Sequence, residues 1–176
     1  MKSWIAALLR RANTPPPSNG ERSDHFTLVM LPAMEAEVEG RNQFGLFEES
    51  AYDRFKKEGG RALPFDFEAY LRAFNGGLPL RFSHPFGFLF SMQTTEMEAS
   101  LLQTLHWPQP PGKKDWLVIG RDGAMALYFM SLGAADFGSI YSCFAFSDAN
   151  TGEMEYMGEP HKVAGSFSEM FQQSQA

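Results

Sequence analysis

The sequence predicts an α+β fold: a single domain in which a mostly antiparallel sheet carries helices packed on one face. Three observations lead there. Apolar residues recur at helical spacing towards both ends of the chain. The segments between Phe86 and Met157 instead alternate with a period near two and are broken by turn residues. The regular strand–helix–strand alternation of parallel sheets is missing. A chain of 176 residues can bury a substantial core, and 17 Phe and 10 Met make that core rich in aromatics and thioethers. No internal repeat is visible.

At the start, Trp4, Ile5, Leu8 and Leu9 lie on one helical face, as expected of a docked amphipathic helix. A six-residue apolar segment followed at once by Arg10 and Arg11, without a small-residue cleavage site, does not read as a secretory signal. Thr14-Pro15-Pro16-Pro17-Ser18-Asn19-Gly20 is a stiff-then-flexible linker. From His25 to Leu31, alternation places Phe26, Leu28 and Met30 on one side of a strand. Glu35, Glu37 and Glu39 follow in a polar connector or strand edge. Residues 1–45 therefore read as an extension of the same domain, and residues 46–176 as its core. Phe44, Phe47, Tyr52 and Phe55 then mark a helix that stops at Gly59-Gly60.

The stretch Leu63-Pro64-Phe65-Asp66-Phe67-Glu68-Ala69-Tyr70-Leu71-Arg72-Ala73-Phe74-Asn75-Gly76-Gly77 is a short helix marked at both ends. Pro64 suits a first helical position, and Asp66 places negative charge near the positive end of the dipole. Leu63, Phe67, Tyr70, Leu71 and Phe74 form one apolar stripe. Asn75-Gly76-Gly77 ends the helix, because Asn and Gly accept the left-handed backbone of a C-terminal cap. Beyond it, Phe86, Phe88 and Phe90 alternate as a strand, and Met97, Leu101 and Leu105 suggest a helix over 96–105. Trp107-Pro108-Gln109-Pro110-Pro111-Gly112 must be a loop. Trp116–Ile119 and Met125–Leu132 read as strands joined at the hairpin signal Asp122-Gly123. Ser139–Phe146 is a further strand, Asp148–Gly152 a turn, and Glu153–Met157 can pair back across it. Ser166 with Glu169 makes a capping box for a terminal helix that buries Phe167, Met170 and Phe171.

The Leu-Pro, acidic-aromatic, aromatic-helix and Asn-Gly-Gly order resembles the signature of the SUKH superfamily. That family includes many bacterial immunity proteins that neutralise toxins, and the Smi/Knr-type regulators of fungal cell-wall synthesis. The resemblance runs from about Leu63 to Phe171, roughly two-thirds of the chain. It includes Val118-Ile119-Gly120-Arg121-Asp122-Gly123, the aliphatic-aromatic strand Ala126-Leu127-Tyr128-Phe129, and Ser166-Phe167-Ser168-Glu169-Met170-Phe171. Many members carry a Gly-acidic pair directly after the hairpin turn, whereas this sequence has Met125-Ala126, so no contact of that acid carries over.

Chemistry is sparsely signposted. His25, His84, His106 and His161 are scattered, without spacing that would put two metal ligands on one face. Cys143, the lone cysteine, sits beside Phe144 in an apolar strand and reads as a buried, inert thiol that fits a reducing bacterial cytoplasm. Gly120-Arg121-Asp122-Gly123 leads into a strand rather than a helix N-terminus, so it does not cradle phosphate. The expectation is therefore no metal, no cofactor and no catalysis. No apolar run approaches the roughly 20 residues that span a bilayer. A net charge of −6 argues against nucleic acid and anionic lipid as partners, and is compatible with a basic protein. The family implies that such a partner is a cognate toxin domain, blocked by stoichiometric occlusion by a monomer or weak homodimer. Smi/Knr-type scaffolding without a toxin is the alternative, and a small enzyme with an unrecognised site ranks third. Candidate partner-binding residues are Glu35, Glu37, Glu39, Asp148, Glu153 and Glu155, with Trp107 and Phe137 as aromatic anchors. A solvated face is the plain alternative for either acidic cluster alone, and core packing for the aromatics.

Overall fold

A computed structural model of the chain describes residues 46–77, 88–92, 100–122, 126–147 and 154–173. The sequence-predicted N-terminal helix, linker and strand lie outside the described residues, as do Phe86 and the turn Asp148–Gly152.

The first described helix, α1 (Glu49–Gly59), turns Ala51, Tyr52 and Phe55 inward. It stops because Gly60, at φ 65, takes the left-handed conformation and donates its N–H to the Lys56 carbonyl. The signature helix, α2 (Phe65–Phe74), buries Phe67, Tyr70, Leu71 and Phe74, the stripe expected from spacing. Pro64 stands one position earlier than expected. At φ −55 and ψ 141 it is the N-cap, and its carbonyl accepts the Glu68 N–H. Arg72 ties the two helices together: it pairs with Glu49 and with Glu68, and stacks over the rings of Phe47 and Tyr52.

The other end of α2 is a joint rather than only a stop. Asn75 takes φ 50 and caps the helix by donating its N–H to the Leu71 carbonyl. Its buried side-chain oxygen then accepts the Met92 N–H at 3.0 Å. Gly76, at φ 85, passes so close to β1 (Phe88–Leu89) that a Cβ there would stand 2.7 Å from the Leu89 carbonyl oxygen and the Ser91 nitrogen. Gly77 exchanges two backbone hydrogen bonds with Leu89. Asn-Gly-Gly thus joins the end of α2 to the first strand, and only residues without a bulky Cβ fit the approach.

Among the described residues, five strands form one antiparallel meander in the order β1, β2 (Trp116–Arg121), β3 (Ala126–Ser131), β4 (Ile140–Ser147) and β5 (Met154–Ala164). The domain is α+β, as predicted. Every residue of β3, and all of β2 but Arg121, is buried. Successive side chains point to opposite faces, so the middle of the sheet is covered on both. Part of that cover comes from α3 (Leu101–Thr104) and the loop after it: the Thr104 hydroxyl bonds to the Val118 carbonyl, and the Tyr156 hydroxyl to the Pro108 carbonyl. Of the helix expected over 96–105, residues 96–99 lie outside the described residues, and the described part is helical over Leu101–Thr104. Ser100 is held extended by its bridge to Ser91, and its hydroxyl donates to the Met92 carbonyl. The Asp122-Gly123 turn is also longer than a two-residue hairpin. Asp122 exchanges bonds with Ala126, donating its N–H to the carbonyl and accepting the Ala126 N–H on its carboxylate at 2.8 Å.

The terminal helix, α4 (Phe167–Gln173), packs Phe167 between Phe67 and Tyr70 of α2, with ring centroids 5.1 and 5.0 Å away. The capping box is present in a shifted form. Ser166 accepts the Glu169 N–H, but the Glu169 carboxylate reaches back to the N–H of Gly165 rather than Ser166. Asp66 adds a long-range tie, accepting the N–H and hydroxyl of Ser168, each at 2.8 Å.

Candidate partner-binding surface

The sheet face that carries Ile140, Ser142 and Phe144 of β4 changes character along its length. At one end Ile140 lies opposite Ala164, and both are buried where the chain turns into α4. At the other end Phe144 lies opposite Met157, and they are 56% and 59% exposed. Residues directly opposite in an antiparallel pair share a face, so these two side chains are neighbours. Ala126 of β3 is the partner of Phe144 on the other side, and its methyl group adds little height. Two positions towards the β4–β5 turn, half-buried Phe146 faces exposed Glu155 on the same side. The result is a low apolar ridge at the end of the β4–β5 ribbon.

The ridge is stiffened from beneath. Opposite β4, strand β5 takes three residues, Gly158, Glu159 and Pro160, where β4 has Cys143 alone. Gly158 allows this bulge with φ 76, a conformation costly for other residues. Cys143 is buried, and its thiol faces the Met157 and Gly158 carbonyls at 3.9 and 4.0 Å. Burial, with Glu159 nearby, pushes the thiol upward in pKa, away from the thiolate that a nucleophile needs. Tyr156, on the opposite face, is half-buried against Phe129, and its hydroxyl is pushed up to about 12, mainly by desolvation. These groups hold the strand in place, and the exposed groups above them offer contact area and negative charge.

Among the described residues, no group of three or more His, Cys, Asp or Glu side chains converges to hold a metal ion. No described helix is long and apolar enough to cross a membrane.

The sequence model of one family matches residues 47–173, from the residue beside α1 to the last residue of α4. The chain belongs to the SMI1/KNR4 family (SUKH-1). No curated protein matches it. The match begins at Phe47, upstream of the Leu-Pro motif, and so takes in α1, which is fastened to α2 through Arg72 and Tyr52.

On this SUKH-1 scaffold the candidate contact residues of the sequence reading separate. Glu35, Glu37, Glu39, Asp148 and Glu153 lie outside the described residues. Glu155 is exposed on β5. Phe137 is 49% exposed in the β3–β4 connection, whose Gly138 lies against Pro64. Trp107 is half-buried against the core and meets Phe90 edge-on at 6.0 Å, so most of its surface serves packing. Phe144 and Met157 were not singled out. Alternation marks them as strand residues, and it gives no sign that the cover stops before reaching them.

Proposed function

We propose that this SUKH-1 protein is an immunity protein, which binds a cognate bacterial toxin domain and neutralises it by stoichiometric occlusion. The supporting observation is the family's fold bearing an exposed apolar ridge bordered by carboxylates on a rigid strand pair. This is the composition of a protein-recognition surface, with large apolar anchors and a charged rim. Rigidity limits the ordering cost of binding. The protein's net charge of −6 would speed encounter with a basic toxin such as a nuclease. The role is binding rather than catalysis, within the bacterial cytoplasm where such toxins act. Glu35, Glu37, Glu39, Asp148, Glu153 and Glu155 are proposed to supply the acidic side of the contact, with Phe137 and Trp107 as further aromatic contributors.

On this proposal the adjacent upstream gene encodes a large secreted protein with a variable C-terminal domain, and the test is coexpression with that domain in a sensitive host. Restored growth and a stable complex on gel filtration are expected. Persistent growth arrest with no complex would sink the proposal and leave Smi/Knr-type scaffolding, for which no particular structural feature speaks.

A further inference from the structure

We infer that the toxin domain docks face-on to the β4–β5 ribbon, taking Phe144 and Met157 into an apolar socket with a basic rim, and does not add a strand to the β5 edge. This inference rests on the immunity reading and deepens it by assigning the surface and the chemistry of its occupant.

The apolar pair carries the first part. Phe144 and Met157 are cross-strand partners, both more than half exposed, on a face that is fully buried at Ile140 and Ala164. A Phe side chain and a Met side chain side by side form the kind of anchor that fills a partner's pocket, and Met adapts to the pocket's shape.

Charge selects the occupant. Glu155 and Glu159 are both exposed and stand two residues to either side of Met157. A second copy of this chain would bring the same carboxylates against them, in a protein already at −6. Like charges brought together at an interface are costly, so the occupant is a surface carrying Lys or Arg around its socket.

The backbone rules out the edge. Among the described residues β5 is the last strand of the sheet, where strand addition would otherwise be possible. Its middle is interrupted by the Gly158–Pro160 bulge, and Pro160 has no N–H to offer an incoming strand.

The test uses the full chain and the purified upstream toxin domain, with affinity measured by calorimetry or surface plasmon resonance. Phe144→Ser and Met157→Ser should each weaken binding about tenfold or more while the far-UV circular dichroism and melting temperature stay those of wild type. Met157→Lys, which also places a cation against the basic rim, should weaken it further. Glu155→Lys combined with Glu159→Lys should slow association and flatten its salt dependence. Leu46→Ser, at an exposed apolar residue just before α1 that belongs to no proposed contact, should leave affinity unchanged. If the wild-type chain binds the toxin domain and the Phe144 and Met157 variants bind equally well, the assignment of the surface is wrong and the immunity reading survives. Loss of binding at Leu46 alone has the same meaning. If the wild-type chain does not bind, both fall. A free chain that dimerises, with the dimer broken by Phe144→Ser, would make a second copy the occupant and overturn the inference.

Discussion

Replacing Asn75 should separate the two jobs that one side chain performs at the α2–β1 joint. Its side-chain oxygen accepts the Met92 N–H at 3.0 Å in a buried setting, and its backbone sits at φ 50. Asn75→Gly keeps the left-handed backbone relaxed and removes the acceptor. Orphaning a buried amide costs about 1–3 kcal/mol. Asn75→Ala removes the same acceptor and also forces a Cβ into the left-handed region, adding about 1–2 kcal/mol. The Ala variant should therefore lose about 2–5 kcal/mol, and the Gly variant roughly 1–2 kcal/mol less. For a domain of this size, 1 kcal/mol corresponds to a melting shift of about 2–4 °C. Urea unfolding followed by tryptophan fluorescence gives both free energies, and unchanged m-values would place the effect in the native state. An Ala variant as stable as wild type would refute the joint. A Gly variant that loses as much as the Ala variant would refute the backbone half of the reasoning.

Other outcomes follow from the same structure. Gly76→Ala should be worse than either change at Asn75, since its Cβ would lie 2.7 Å from backbone atoms of the first strand segment and φ 85 disfavours any side chain. A loss of about 4 kcal/mol or more, or insoluble protein, is expected, and a melting temperature within a few degrees of wild type would contradict it. All five tyrosines have raised pKa values: Tyr52, Tyr70, Tyr128 and Tyr156 mainly through burial, and Tyr141 first through its hydrogen bond to Asp136. The neutral phenol is favoured in the fold, so this stabilisation is complete below the ordinary value of about 10 and disappears as pH rises through the raised ones. Ultraviolet titration should show little tyrosinate near pH 10 and then a rise together with unfolding; five phenols ionising near 10 in folded protein would contradict it. For Asp136, burial alone would raise the pKa, but hydrogen bonds from Ser131 and Tyr141, with Lys162 and Lys113 nearby, outweigh it and hold the carboxyl low. Its stabilisation is present above the ordinary carboxylate range and lost as pH falls through the lowered value. Asp136→Asn should thus melt below wild type at neutral pH, by a gap that closes in strong acid, and a gap independent of pH would show that the charge is not what matters.

Local signals were read well where local physics decides the outcome. The α2 stripe, its Asn-Gly-Gly stop and the Gly60 cap depend on spacing and on left-handed backbone, and both are visible in a sequence. Asp66 shows where that reach ends. Charge near a helix N-terminus explains its presence, yet its carboxylate spends two hydrogen bonds on Ser168, 102 residues away. Ser100 shows a second limit of the same kind, since apolar spacing gives no sign of its bridge to Ser91, from a segment well before it in the chain. Of the proposed surface, only the charge is legible in the sequence. Glu155 stood out by charge, and its neighbours Phe144 and Met157 did not, because a strand's period assigns a face without revealing how far the cover extends over it. Trp107 shows a related limit: an aromatic in a proline-rich loop gives no sign in sequence that part of its surface packs against Phe90.

The most direct measurement of the central claim is a calorimetric titration of the full chain with the purified C-terminal domain of the proposed toxin. One toxin domain bound per chain, with affinity that weakens as salt rises and toxin activity that vanishes at the equivalence point, is the expected result. A toxin that gives no binding heat and stays active in the presence of excess chain would contradict it.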